Sequence, residues 1–256
     1  GMMDCKNALV EANGDFELAI ENLRKKGQKV AAKRADRDSS EGAVIAMVND
    51  DQTKGVIISL NCETDFVAKN ESFVDLAKSF CKIALNCSSL EELLNSTHES
   101  MTVSEKLIEQ TGVIGEKLEI GAFESVSSEH VGFYIHAGNK IATLAGLSNK
   151  FENVSDVSKN VAMQVAAMNP IALNEDSVSK EIIEKEIEIA KEQLRAEGKP
   201  EAMLDNIAKG KLKKFFKDNT LVKQAYIKDN KSSVENYIQS ENNECVITDF
   251  KRVALV

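Results

Sequence analysis

The chain has 256 residues, enough for one large domain or two to three small ones, and 43% of them are hydrophobic. Aromatic residues make up only 5% and Trp is absent, so we predict a mainly aliphatic core. The net charge of −9 argues against a general binder of nucleic-acid backbones, and the sequence contains no run of about 18 apolar residues, so no membrane span is expected.

The five cysteines are scattered along the chain and form no Cys-X-X-Cys pair. This pattern favours free, buried thiols in a reducing cytoplasm over a disulfide framework or a metal site. We therefore expect a cytoplasmic protein whose thiols are Cys5, Cys62, Cys81, Cys87 and Cys245.

Residues 1–27 are predicted to form a helical module of two short helices. Asn13-Gly14 separates the helices, Asp15 is placed to cap the second, and Gly27 is predicted to end it. Two short helices bury little surface, so we expect a third helix to be missing or to be supplied from elsewhere. The basic and polar residues 28–42 predict a linker, with an RNA-binding segment as the alternative.

A β-hairpin and a helix are predicted next. The segments AVIAMVND and KGVIISLN flank a polar turn, and an apolar stripe in the following helix suits packing against a sheet. Ser89 and Thr102, each followed three residues later by Glu, predict capping boxes that open two more helices. The stripe consists of Phe73, Leu76, Phe80 and Ile83.

The same order then recurs. LEIGAFESV, VGFYIHA and KIATLAGL predict strands, and Gly138-Asn139 predicts a tight turn between the last two. A helix that ends before Pro170 follows. The repetition indicates an α+β fold with two similar subdomains built on antiparallel sheets, residues 43–126 and 127–256.

Residues 177–216 are predicted to form an antiparallel pair of helices inserted into the second subdomain. Two apolar stripes are separated by the break Gly198-Lys-Pro200, and Phe215 is assigned to the second stripe. A short helix capped at Ser232 and a last strand, CVITDFKRVALV, complete the predicted elements.

Recognisable catalytic or metal-binding motifs are missing from the sequence. The three histidines lie outside zinc-binding patterns, and no nucleophile motif is found. The segment from Gly112 to Lys117 has too short a glycine spacing for a phosphate loop and no Ser or Thr after the Lys. We therefore expect a chain that does not bind nucleotide itself and is not an enzyme.

Asp65 and Phe66 lie where a predicted strand passes into a helix, a place usually filled by small or polar residues. In one interpretation Phe66 fills a subdomain core and Asp65 caps the next helix. In the other, Phe66 is an exposed wedge offered to a partner's pocket, a role in which aromatic residues supply much of the binding energy.

Seven motifs together resemble the bacterial elongation factor Ts family, the nucleotide-exchange factors of the GTPase EF-Tu. They occur in the family's order and span nearly the whole chain: GMMDCKNAL, EANGDFELAIENLRKKG, TDFV with AKN, YIHAGNKIA, MQVAAMNP, EGKP and GKLKKFF. The resemblance implies a ubiquitin-associated-like (UBA-like) helical module, a two-subdomain core and a protruding coiled-coil hairpin.

The resemblance also implies which residues contact EF-Tu. Thr64, Asp65, Phe66 and Val67 match the segment whose Asp-Phe pair inserts near the Mg²⁺ site of EF-Tu and promotes GDP release. Met2, Met3, His136 and Gly138 match further contacts with EF-Tu.

Partners other than EF-Tu are not implied: we expect no direct binding of nucleic acid or membrane, and either a homodimer or a 2:2 assembly with EF-Tu. The family's helix before Gly1 and its final helix after Val256 are expected to be missing. Two alternatives remain open, a plain adaptor that alters no nucleotide and an enzyme that uses a carboxylate pair.

Overall fold

The structure is a computed structural model that describes residues 2–255. Residues 1 and 256, the outer limits of the first and last predicted segments, lie outside the described residues. The helices are α1 (Met2–Glu11), α2 (Phe16–Arg34), α3 (Asp65–Ala68), α4 (Glu71–Ala84), α5 (Leu90–Asn95), α6 (Val103–Ile114), α7 (Val154–Met168), α8 (Lys180–Ala196), α9 (Glu201–Asn219) and α10 (Val234–Glu241), with a 3₁₀ turn at Glu175–Ser177. The strands are β1 (Glu41–Val48), β2 (Lys54–Cys62), β3 (Thr97–His98), β4 (Met101–Thr102), β5 (Glu119–Ser127), β6 (His130–Ile135), β7 (Ile141–Leu147), β8 (Ala225–Tyr226), β9 (Asp229–Ser233) and β10 (Ile247–Ala254).

Two three-stranded antiparallel sheets have the same strand arrangement. The first has the order β1-β2-β5 and the second the order β6-β7-β10. In each, a hairpin forms first and a strand that follows one or more helices pairs with the hairpin's second strand. The predicted α+β class with antiparallel sheets is confirmed, and the division into two similar subdomains stays a prediction.

The two sheets pack face to face between helices α4 and α7. On β1, Ala43 and Ile45 contact the α4 side, whereas Val44 and Ala46 contact the second sheet. The outer face of the second sheet is covered by α7 through Val157, Val161 and Val165. Strands buried on both faces need continuous apolar runs, which is why segments such as VIISL lack the alternation of a half-exposed strand.

The helix on the first sheet follows its predicted stripe. Phe73 and Phe80 are buried, and Leu76 and Ile83 pack around them at the edge. Full burial of a phenylalanine contributes roughly 1.5–3 kcal/mol. This packing fixes α4, and with it the short segment between β2 and α4.

The helix end predicted at Gly27 is wrong. Helix α2 starts at its predicted cap, Asp15, which accepts a hydrogen bond from the Leu18 amide, but continues to Arg34. Residues 28–34 of the predicted linker are therefore helical. Gly27 is buried because α2 crosses α6 there: a Cβ on Gly112 would lie only 2.6 Å from the Gly27 Cα. The glycine permits a close helix–helix contact rather than a helix end.

Some smaller expectations are also corrected. Helix α10 is capped by Ser233 rather than Ser232. Ser89 caps α5, but Glu92 accepts from the Ser88 amide, so the predicted box forms only at Thr102. Cys5 is exposed, whereas the other four thiols are buried as expected.

Helices α8 and α9 form an antiparallel pair joined at Gly198, whose φ of +75° is unfavourable for residues with a side chain. Ala190, Leu194, Leu204 and Ala208 are buried on the two helices. Near the base of the pair, Phe216 is buried with Ala172 and Val178, whereas Phe215 is only partly buried. The apolar stripe of α9 therefore lies one position further along the chain here than predicted.

Among residues 2–255, the structure has no helix with the length and apolar character that crossing a membrane requires.

We expect Gly112→Ala to lower the free energy of unfolding by roughly 1–3 kcal/mol, because the new methyl group would push α6 away from α2. Chemical denaturation measures the effect. Gly210→Ala is the matched control: this glycine lies inside α9 with open space around it, so alanine should stabilise by about 0.5–1 kcal/mol. Equal effects of the two substitutions would contradict the close helix contact.

Candidate functional site

The Asp-Phe pair lies on a helix of a single turn. After β2, Thr64 is the N-cap of α3. The side chains of Val67 and Ala68 pack into the core between the first sheet and α4, which we call the first core. Phe66 points outward and is 85% exposed. The interpretation that Phe66 fills a core is therefore wrong, and its role as a partner contact stays a prediction.

Asp65 is the first residue of α3 and does not cap the next helix, α4, whose N-cap is Asn70. Its carboxylate accepts a hydrogen bond from Lys69 Nζ at 2.6 Å, one turn later. That bond and the Lys69 charge lower the pKa of Asp65, so the carboxylate is ionised at neutral pH. An ion pair and a large apolar ring thus project from the same turn.

The loop before α3 is held by Glu116, which follows α6. Glu116 Oε2 accepts hydrogen bonds from the backbone nitrogens of Glu63 and Thr64 at N–O distances of 3.1 and 3.0 Å. The hydroxyl of Thr64 donates to Glu116 Oε1 at 2.7 Å. Three hydrogen bonds to one carboxylate therefore fix the two residues that precede Asp65.

Glu63 forms the reciprocal contact. Its Oε1 accepts from the Lys117 amide at 2.6 Å, and Arg34 Nη1 donates to both carboxylate oxygens at 2.7 and 2.9 Å. These hydrogen bonds, above all the one from Lys117, lower the pKa of Glu63. We call the hydrogen bonds made by Glu63 and Glu116 across residues 63–64 and 116–117 the junction clamp.

The position of the junction clamp follows from the first sheet. The last backbone pair between β2 and β5 is Asn61 with Glu119. Beyond that pair the two chains continue side by side, and the carboxylates take over the bonding of the backbone amides. Neither Glu63 nor Glu116 carries a local sequence signal, because their contacts join segments 52 to 54 residues apart.

The segment from Gly112 to Lys117 is explained by the same geometry. Its glycines lie at the end of α6, and Gly115 adopts a φ of +81° as the helix C-cap. A phosphate loop instead precedes the N-terminus of a helix, where free amides point at the anion. The pattern GEK therefore ends a helix and supplies Glu116 to the junction clamp.

Met2 and Met3 lie on α1 and are 89% and 63% exposed. Helix α1 packs on α2 through small apolar residues, and Asp4 pairs with Lys26 at 2.5 Å. The far end of α2 carries Arg34, which binds Glu63. The structure thus connects the predicted N-terminal module to the junction clamp, although the methionines themselves lie on a different element from Phe66.

His136 and Gly138 lie in the turn between β6 and β7. Both are exposed, Gly138 has a φ of +87°, and the Tyr134 hydroxyl lies 3.1 Å from His136 Nδ1. Asn139, in the same turn, accepts from the Val44 amide at 2.7 Å.

Lys140 connects this turn to the surroundings of α3. It pairs with Glu41 at the start of β1, and its charge contributes to the lowered pKa of Asp65. The β6–β7 turn and α3 therefore lie near the same end of β1.

Between residues 2 and 255, no cluster of three or more His, Cys, Asp or Glu side chains could hold a metal ion.

Comparison with known proteins gives consistent matches. A family model described as Elongation factor TS matches residues 63–255. The Elongation factor Ts of Christiangramia forsetii is 66% identical over 255 residues, which cover 100% of this chain and 93% of that protein. The Elongation factor Ts of Flavobacterium psychrophilum is 63% identical with the same coverage, and that of Porphyromonas gingivalis is 43% identical over 258 residues, again covering 100% and 93%.

We expect Glu63→Gln to lower the free energy of unfolding at pH 7 by about 1–2 kcal/mol, because the charge-assisted bond with Arg34 is lost. Since the pKa of Glu63 is lowered on folding, its contribution is complete above the unfolded value, near 4.5, and is lost as the pH falls through the folded value. Denaturant titrations from pH 7 to pH 3 should show the difference from the wild type shrink below about pH 4.5.

The matched control is Glu91→Gln, which changes an exposed glutamate on α5. A difference between Glu63→Gln and the wild type that stays constant with pH would contradict the assigned bonds.

Proposed function

The chain belongs to the elongation factor Ts family, and we propose that it is the translation factor that promotes nucleotide exchange on the GTPase EF-Tu. It binds EF-Tu in the GDP form and accelerates the release of GDP, so that GTP can take its place. The observation that carries this proposal is Phe66, an aromatic ring 85% exposed on a turn that hydrogen bonds and core packing hold in place.

An exposed aromatic side chain on a fixed backbone is suited to act as a binding anchor. Aromatic anchors in well-packed pockets supply a large share of interface energy. Little ordering entropy is lost on binding if the backbone that carries the ring is already fixed. Thr64 and Val67, the flanking residues of the motif, anchor the turn, whereas Asp65 and Phe66 make the contact.

The wedge acts on the magnesium ion that EF-Tu holds with its nucleotide. Mg²⁺ requires nearly ideal octahedral geometry, so a small displacement of the groups around it weakens its binding. Loss of this charge leaves the phosphates of GDP without their counter-ion, and GDP dissociates. The factor makes no covalent bond and needs no cofactor, since its effect comes from binding one state of the partner better than the other.

Further contacts with EF-Tu are assigned to Met2 and Met3 on α1 and to His136 and Gly138 in the β6–β7 turn. The exposure of all four residues supports this assignment. We further propose that α1 and α2 form a UBA-like module and that α8 and α9 form a projecting coiled-coil hairpin. We propose likewise that the core consists of two subdomains, residues 43–126 and 127–256. A cytoplasmic location and a homodimer or a 2:2 assembly with EF-Tu belong to the same proposal.

The alternative function is that of an adaptor that binds partners without changing their nucleotide. It is favoured by the exposed apolar side chains of the helical pair, which include Met2, Val10 and Phe16. An adaptor does not require an orienting clamp at Phe66, so the exchange function accounts for more of the structure.

Replacing Phe66 by Ala separates these functions. The substitution should change the free energy of unfolding by less than about 0.5 kcal/mol, because the ring is exposed. It should slow the stimulated release of labelled GDP from EF-Tu at saturating factor by roughly 30-fold, the equivalent of about 2 kcal/mol for a binding anchor. Release of a fluorescent GDP analogue in stopped flow measures this rate.

Phe16→Ala is the control, because this ring is 68% exposed but lies on α2. We expect it to leave the saturating release rate within about twofold of the wild type, since a surface ring outside the wedge contributes little. Normal exchange by folded Phe66→Ala would contradict the wedge.

A further inference from the structure

Helix α3 is too short to keep its shape alone. It has four residues, and an isolated helix of one turn is unfavourable because nucleation fixes several dihedral angles for a single hydrogen bond. Its own cap bond, from the Val67 amide to Thr64 Oγ1, is long at 3.5 Å. The direction in which Phe66 points must therefore depend on contacts from outside the helix.

Two external contacts are available, and they act on different sides of the turn. Val67 and Ala68 pack into the first core and hold the C-terminal side. On the N-terminal side, the Glu116 carboxylate accepts hydrogen bonds from the amides of Glu63 and Thr64 and from the Thr64 hydroxyl. Hydrogen bonds to an ionised carboxylate are about twice as strong as neutral ones.

The bond from the Thr64 hydroxyl has a second consequence. Because the hydroxyl proton of Thr64 is directed to Glu116 Oε1, Thr64 Oγ1 presents a lone pair to the Val67 amide. The hydrogen bond from that amide to Oγ1 is the cap bond of α3. Glu116 thus acts through Thr64 on the helix that carries Phe66, without touching the exposed ring.

We propose that Glu116 is a positioning residue for nucleotide exchange, which fixes Thr64 so that α3 presents Phe66 in a single orientation. This inference rests on the proposed function. Without Glu116 the turn would sample several orientations, and only a fraction of the molecules would be ready to bind. A binding-competent fraction below one raises the apparent dissociation constant in inverse proportion to that fraction but leaves the bound complex unchanged.

The test measures stimulated GDP release from EF-Tu against the concentration of the factor, for wild type, Glu116→Ala, Glu116→Gln and Thr64→Val. Glu116→Ala should raise the half-saturating concentration on the order of tenfold, as expected for the loss of a helix cap, with a saturating rate within about twofold of the wild type. Thr64→Val should have the same effect. Phe66→Ala, by contrast, should lower the saturating rate.

Glu116→Gln should restore most of the wild-type half-saturating concentration. Its amide oxygen can accept both backbone protons, and its NH₂ group can donate to the Thr64 oxygen. The control Glu91→Ala removes an exposed carboxylate on α5 and should behave as the wild type. A half-saturating concentration unchanged in folded Glu116→Ala and Thr64→Val would overturn the proposal.

Amide hydrogen exchange of the free chain gives a readout that does not involve EF-Tu. In Glu116→Ala, the amides of Glu63, Thr64 and Val67 should exchange faster, while those of α4 keep their protection. Unchanged protection at Thr64 and Val67 would overturn the positioning role. Failure of the wild-type chain to accelerate GDP release would overturn the proposed function alone, since amide hydrogen exchange of the free chain does not depend on EF-Tu.

Discussion

Two glutamates, Glu63 and Glu116, hold the candidate site together, because each accepts hydrogen bonds from backbone amides across the end of the first sheet. Glu63 accepts from the Lys117 amide, and Glu116 accepts from the amides of Glu63 and Thr64. Pairing of β2 with β5 stops two residues earlier, so the carboxylates replace a ladder that the backbone no longer provides. Arg34 binds the same Glu63, and the helical pair α1–α2 is thereby connected to the turn that presents Phe66.

This arrangement is useful for a protein whose proposed action is mechanical. A wedge can displace the groups around a partner's Mg²⁺ only if its own support is less easily displaced. The support here is a sheet buried on both faces, between α4 and the second sheet, with interior packing that resists deformation. The Phe66 ring, which is 85% exposed, projects from this support into water.

Local patterns predicted the helices and strands well, because caps and periodicity act within a few residues. Asp15, the Thr102 box and the Phe73–Phe80 stripe were all placed correctly. Gly27 was misjudged because its role depends on Gly112, 85 positions away in sequence, and a glycine at a helix crossing has the same local pattern as one at a helix end. Glu63 and Glu116 gave no local signal at all. The residue types around Phe66 allowed either a buried or an exposed ring, and the fold shows that the ring is exposed. The resemblance to the family was inferred from the order of seven motifs along the chain.

Under the proposed exchange function, this protein and GDP oppose each other on EF-Tu. Such coupling is reciprocal: if this protein weakens the hold of EF-Tu on GDP, then GDP must weaken the hold of EF-Tu on this protein by the same factor. The most direct measurement is the affinity of the chain for EF-Tu at rising GDP concentration and fixed Mg²⁺. We expect the tightest binding to nucleotide-free EF-Tu, and an affinity that falls steadily as GDP is added. An affinity that does not change with GDP would contradict the account, since a ligand without differential affinity shifts no equilibrium.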